Sequence, residues 1–176
     1  MVDIAIPDPS LVVMIGAAGA GKSTFATRHF APDEILSSDR FRELISGDAA
    51  DQRATAAAFG RLHRELGRRL AARRLTVVDA TSVQATSRRA LLARARSAGI
   101  PATAIVLDLP ATTVLAQNLA RLTRVVDETV VHRHLGRLRA SLEGAPPTLF
   151  DEGFAQVVVL RDPAEVELVR IRRGPP

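Results

Sequence analysis

The chain has no cysteine, no tryptophan and no tyrosine, and it has a single lysine. Without cysteine there is no disulfide framework and no thiolate metal site. Aromatic residues make up 3% of the sequence, which argues against a surface that stacks bases on rings. A polynucleotide partner would be gripped by arginine. No apolar run approaches the roughly 18 residues of a membrane span. The opening stretch, MVDIAIPDPS, lacks the basic segment and long apolar core of a secretory leader. The expected address is cytoplasmic, with no membrane partner.

What is present fits one globular domain spanning residues 1–176. The chain has 176 residues, 47% hydrophobic and 24% charged, enough to bury a full core. The net charge of +5 suits an acidic partner such as nucleic acid, or equally reflects an arginine-rich codon supply. Short apolar runs at 11–15, 34–37, 75–79, 103–108 and 156–160 read as buried strands, since none alternates with polar residues. Helical patterns lie near 22–30, 39–46, 52–73, 85–98, 112–122, 127–142 and 163–169. The last opens with Asp162, Pro163 and Glu165, the residue types of N-cap, N1 and N3. The alternation predicts an α/β fold with a parallel sheet of about five strands and helices on both faces. Residues 112–150 are longer than a plain crossover needs and read as a helical lid.

The one lysine is Lys22, inside GAAGAGKST; the other 23 of the 24 basic residues are arginine. Gly16, Gly21, Lys22 and Ser23 complete the P-loop pattern GxxxxGK[ST], placed after a strand and at the start of a helix. Such a loop aims backbone N–H groups at phosphates from Gly16, Ala17, Ala18, Gly19, Ala20 and Gly21, and the helix N-terminus adds partial positive charge. Lys22 serves as a compact point charge for the outer phosphates, where a planar guanidinium does not fit. Ser23 offers a hydroxyl to Mg²⁺, and Thr24 can bond a neighbouring phosphate. These residues predict binding of ATP or another nucleoside triphosphate with Mg²⁺.

In ILSSDRFRELI, Asp39 falls at a strand-to-helix junction, and Arg42 lies one helical turn on. Asp39 there either caps the helix or takes the proton of an attacking hydroxyl. Arg42 could fork onto a phosphate of the acceptor. Asp79, ending the third predicted strand in VVDATSV, is either a turn residue or the holder of a Mg²⁺-bound water.

The ordered set GAAGAGKSTFATRHF, ILSSDRFR, DAADQ, AFGRLH, LTVVDATSV and VVHRHLGRLRASL resembles the kinase domain of the bacterial polynucleotide kinase-phosphatases, P-loop polynucleotide 5′-kinases of the adenylate-kinase-like branch. The resemblance implies transfer of the γ-phosphate of a nucleoside triphosphate to a 5′-OH end of DNA or RNA. It makes Lys22 and Ser23 ligands of phosphate and Mg²⁺, Asp39 the general base, and Arg42 the holder of the phosphate beside the terminal nucleoside. In the family's lid, arginines of a pattern like R-N-x-x-x-R close over the triphosphate. The comparable stretch is Gln117 to Arg121, with glutamine at the first arginine, Arg121 matching the second at one residue short of that spacing, and Arg124 nearby. In that family a phosphatase and a ligase-like domain follow the kinase. This implies such partners in end repair for a chain that is either a stand-alone kinase or one domain of a longer protein. Two alternatives stay open: a small-molecule kinase on the same scaffold, and a regulatory domain that binds nucleotide without transfer, which Gln117 favours.

The other features read as structural. His132 and His134 lack a carboxylate or a third histidine at ligand spacing and read as an exposed helix end. His63 reads as a packing residue. Arg68–Arg69, Arg73–Arg74 and Arg88–Arg89 read as solvated helix faces, and Phe25, Phe41 and Phe59 as core.

Overall fold

The apolar runs that never alternate do so because helices cover both faces of the sheet they form. The computed structural model describes residues 2–48, 51–122, 125–146 and 148–175. Arg124 therefore lies outside the described residues. The elements run β1 (Val2–Pro7), β2 (Leu11–Gly16), α1 (Lys22–His29), β3 (Ile35–Ser37), α2 (Ser38–Ser46), α3 (Thr55–Ala71), β4 (Thr76–Asp79), α4 (Ala85–Ser97), β5 (Ala102–Leu107), α5 (Ala111–Leu119), α6 (Glu128–Glu143), β6 (Gln156–Leu160), α7 (Pro163–Glu167) and β7 (Val169–Gly174). Five strands form one parallel sheet in the order β3-β4-β2-β5-β6. Central β2 is buried along its whole length. Val13 and Ile15 face a cluster with Leu62, Leu66 and Leu70 of α3, Leu91 and Leu92 of α4, and Leu138 and Leu142 of α6. Val12 and Met14 face another, with Phe25 of α1, Val114 of α5 and Val131 of α6.

Parallel pairing brings the carboxyl ends of the strands to one edge. Gly16 lies beside Leu107, and Ser37 beside Asp79. In an open α/β sheet this edge is where ligands bind. Of the stretch read as a lid, α6 buries Val131, Leu138 and Leu142 in the core, and the loop joining α5 to α6 borders the cleft at Ala120, Arg121 and Val126.

The sequence reading has no counterpart for β1 and β7, which form a separate parallel pair from Val2 beside Val169 to Pro7 beside Gly174. Ile4 and Ile6 alternate into the core while Asp3 faces out to Arg172. The alternation is short, and its partner strand lies at the far end of the chain. The helix read over 163–169 stops at Glu167, and Val169 begins β7. Its start is as the residue types predict: Asp162 accepts from Ala164 N–H at 2.7 Å, and Glu165 reaches back to Asp162 N–H at 3.3 Å.

One arginine read as solvated is fully buried. Arg88 forks onto Glu152, with Nη2 to Oε1 at 2.6 Å and Nε to Oε2 at 2.8 Å, and also donates to the Ser82 carbonyl and the Ser141 hydroxyl. This ties α4 to α6 and to the turn at Leu149–Asp151. Basic spacing in the sequence does not reveal it, because the acid partner lies 64 residues away. Arg88→Met should lower stability by about 3–5 kcal/mol, since it leaves Glu152 buried without its cation. Chemical denaturation of both proteins measures the loss. Arg69 and Arg74 are likewise tied down, both to Asp33.

Candidate active site

The strand edge opens into a cleft of about 920 Å³. Its floor is the loop from β2 to α1. Gly19 and Gly21 hold φ of +88° and +86°, a region that side chains disfavour. A Cβ at Gly19 would lie 2.6 Å from the Val114 carbonyl oxygen and 2.8 Å from the Asn118 Cβ. Glycine at 19 thus lets α5 press on the loop. Gly21 precedes α1 without a side-chain cap, so the helix's first N–H groups stay open to an anion. Ala18, Gly19, Ala20, Gly21, Lys22, Ser23 and Thr24 line the cleft, with Gly16 and Ala17 beneath it.

Lys22 bends back over this loop and donates to the carbonyls of Gly16 at 3.0 Å and Ala17 at 2.7 Å. Burial pushes its ammonium from 10.5 down to about 8, the Asp79 carboxylate opposing and the Arg121 guanidinium assisting. Arg121 is therefore close enough to act on the same charge. The Ser23 hydroxyl donates to Asp79 Oδ2 at 2.7 Å, which joins the loop to the end of β4. This pair of hard oxygen donors fits Mg²⁺, an ion bound through one or two protein oxygens together with phosphates and water. Among the described residues there is no cluster of three histidine or acidic side chains that could hold a metal by itself.

Across the cleft stand Asp39 and Arg42, joined as an ion pair along α2. The helix cap is Ser37, whose hydroxyl accepts from Arg40 N–H. Asp39 lies two residues further on and is not the cap. Arg42 is buried, and Asp39 is partly open to the cleft. Thr55, Phe59 and His63 follow at one helical turn each along α3 and form a side wall with Val83, Gln84, Ser87 and Leu91. His63 is thus a wall residue as well as a packed one, accepting from Arg94 Nε at 3.1 Å.

Asn118, Gln117 and His134 lie at or beside the cleft. Buried Asn118 clips the α5–α6 loop shut: its Nδ2 donates to the Val126 carbonyl at 2.7 Å and its Oδ1 accepts from Val126 N–H at 3.1 Å. Gln117 places its Oε1 3.8 Å from where a Gly21 Cβ would lie. His134 is no exposed helix end; it is half-buried on the cleft wall, its Nδ1 3.4 Å from the Ala18 nitrogen. His132 does have a carboxylate one turn away, Glu128 at 3.3 Å, on the exposed face of α6.

The family model described as an AAA domain matches residues 11–145. No curated protein matches the chain in sequence. Among solved structures, a kinase candidate from Chloroflexus aurantiacus is 16% identical, over 88% of this chain and 85% of that one, with a TM-score of 0.63. A sugar kinase from Janibacter sp. is 23% identical, over 90% of both chains, with a TM-score of 0.58. A chain of the Pnkp1/Rnl/Hen1 RNA repair complex is 19% identical, over 76% of this chain but 45% of that one, also with a TM-score of 0.58. These likenesses describe a shared P-loop kinase-like fold.

Proposed function

For a chain that belongs to the AAA domain family, we propose polynucleotide 5′-hydroxyl kinase activity: transfer of the γ-phosphate of ATP or another nucleoside triphosphate to the 5′-OH end of DNA or RNA. The observation that carries this reading is the pairing of Asp39 with Arg42 on the cleft wall facing the P-loop. A carboxylate there can take the proton of the attacking hydroxyl, and a guanidinium one turn on can fork onto the phosphate that follows the first nucleoside.

The P-loop N–H groups and Lys22 hold the triphosphate, with Thr24 beside them. Ser23 and Asp79 would hold Mg²⁺, which would supply charge neutralisation to the donor phosphates. Arg121, on the loop clipped by Asn118, stabilises charge on the transferring group. In this reading residues 1–176 act as one kinase domain, with a lid at about 112–150. The RNA repair complex among the similar structures supports a place in end repair, beside phosphatase and ligase activities.

Arg42→Ala tests the acceptor assignment. It should raise the KM for a 5′-OH oligonucleotide by roughly 10-fold or more, the scale of a lost charge-assisted contact. For a bare nucleoside, which has no following phosphate, the loss should be much smaller. Steady-state kinetics with both acceptors decide it; equal damage to both would remove phosphate recognition from Arg42.

A further inference from the structure

The Ala18–His134 contact points past the phosphate-binding loop to a donor that the P-loop pattern does not contain. Ala18 is on the loop, and His134 is 116 residues away on α6. Val131 and Leu138, one turn to either side of His134, are buried in the core, so the backbone that carries the imidazole is fixed against the sheet. The ring is half-buried and faces the cleft. Charged groups of the same cleft are Lys22 and Arg28 from α1, Asp39 and Arg42 from α2, Asp79 from β4, Arg121 from the α5–α6 loop and Glu167 from α7.

The position along the loop indicates which phosphate is involved. The open N–H groups at the start of α1 take the inner phosphates. Lys22 reaches back from there to the carbonyls of Gly16 and Ala17, and so carries its ammonium to the end of the loop where Ala18 sits. The Lys22 ammonium and the Ala18 N–H therefore bracket the place of the outermost phosphate. Nδ1 of His134 accepts from the Ala18 N–H at 3.4 Å. A phosphate oxygen entering there takes that N–H as its own donor. The imidazole keeps a partner by presenting Nδ1–H, through tautomer exchange or by taking a proton, so that two donors converge on one oxygen.

We infer that His134 donates to the terminal phosphate of a bound nucleoside triphosphate and, with the Ala18 N–H and Lys22, holds the phosphoryl group that is transferred. This rests on the nucleotide-binding part of the proposed function and is independent of the acceptor. It gives α6 a role in recognising triphosphate.

The test is the selectivity between a triphosphate and a diphosphate. Calorimetry with the full chain and Mg²⁺ would measure the affinity for a non-hydrolysable ATP analogue and for ADP in the parent and in three variants. His134→Ala and His134→Leu, the second keeping volume without a donor, should weaken the triphosphate analogue about 10-fold, the scale of one charge-assisted hydrogen bond, and leave ADP unchanged. Unchanged ADP affinity also reports an intact P-loop. His134→Asn, whose amide can place a donor near Nδ1, should recover most of the selectivity. Equal losses for both nucleotides, or none for either, overturn the inference, as does a parent protein that binds neither. If the parent binds nucleotide but phosphorylates no oligonucleotide, the polynucleotide reading fails, while the selectivity ratio still decides the role of His134.

Discussion

Lys22→Arg should lower phosphoryl transfer on the order of 10³-fold, the upper range for losing one transition-state donor, although it keeps the charge. The ammonium fits between two carbonyls of its own loop and is nearly inaccessible to solvent. A guanidinium is wider, planar and fixed in its donor directions, so it either distorts the loop or leaves it. A pH signature accompanies the loss. Burial opposes the charge of Lys22 and pushes its ammonium down to about 8. A bound triphosphate favours that charge and raises the value. Nucleotide affinity should therefore be greatest below about 8 and decline as pH rises through the higher value of the complex. The arginine variant, which stays charged, should show no such decline. Transfer within about tenfold of the parent would show that the loop does not select lysine.

Asp39→Asn should lower transfer by roughly 10²-fold or more with little change in melting temperature. The amide keeps the shape of the side chain but cannot accept the proton of an attacking hydroxyl. The helix start does not depend on Asp39, because Ser37 provides the cap. The ion pair with Arg42 weakens but retains an oxygen acceptor, and Asp39 is open enough to solvent for water to offset part of the loss. Initial rates and thermal unfolding of the same preparations separate the two effects. Nearly full activity would leave Asp39 as the partner of Arg42 and nothing more.

The sheet was legible because its signal is local. Each of the five strands is a run of apolar residues with no polar alternation; the central β4, β2 and β5 are buried along their whole length, and the edge strands β3 and β6 are partly buried. The P-loop was legible for a similar reason: its glycines, lysine and serine are neighbours in the chain. What the sequence did not show depends on distant pairing. β1 needs β7, Arg88 needs Glu152, and His134 needs Ala18, across separations that no periodicity reports. Asp39 is instructive in another way. Its residue type suits a helix cap as well as a base, and only the backbone shows that Ser37 has taken the cap. The histidine pair shows the same limit: in HRH the two side chains face opposite surroundings, one exposed beside Glu128 and one against the phosphate loop.

The central claim is the identity of the acceptor, and the most direct measurement is where the γ-phosphate goes. The protein would be incubated with Mg²⁺ and γ-labelled ATP in the presence of 5′-OH DNA, 5′-OH RNA, a bare nucleoside, and a sugar. The account predicts label at the 5′ end of one or both oligonucleotides, with weaker labelling of the nucleoside and none on the sugar. Label on the sugar alone would place the activity among small-molecule kinases, and nucleotide binding without transfer to any acceptor would make the chain a regulatory domain; either result contradicts the account.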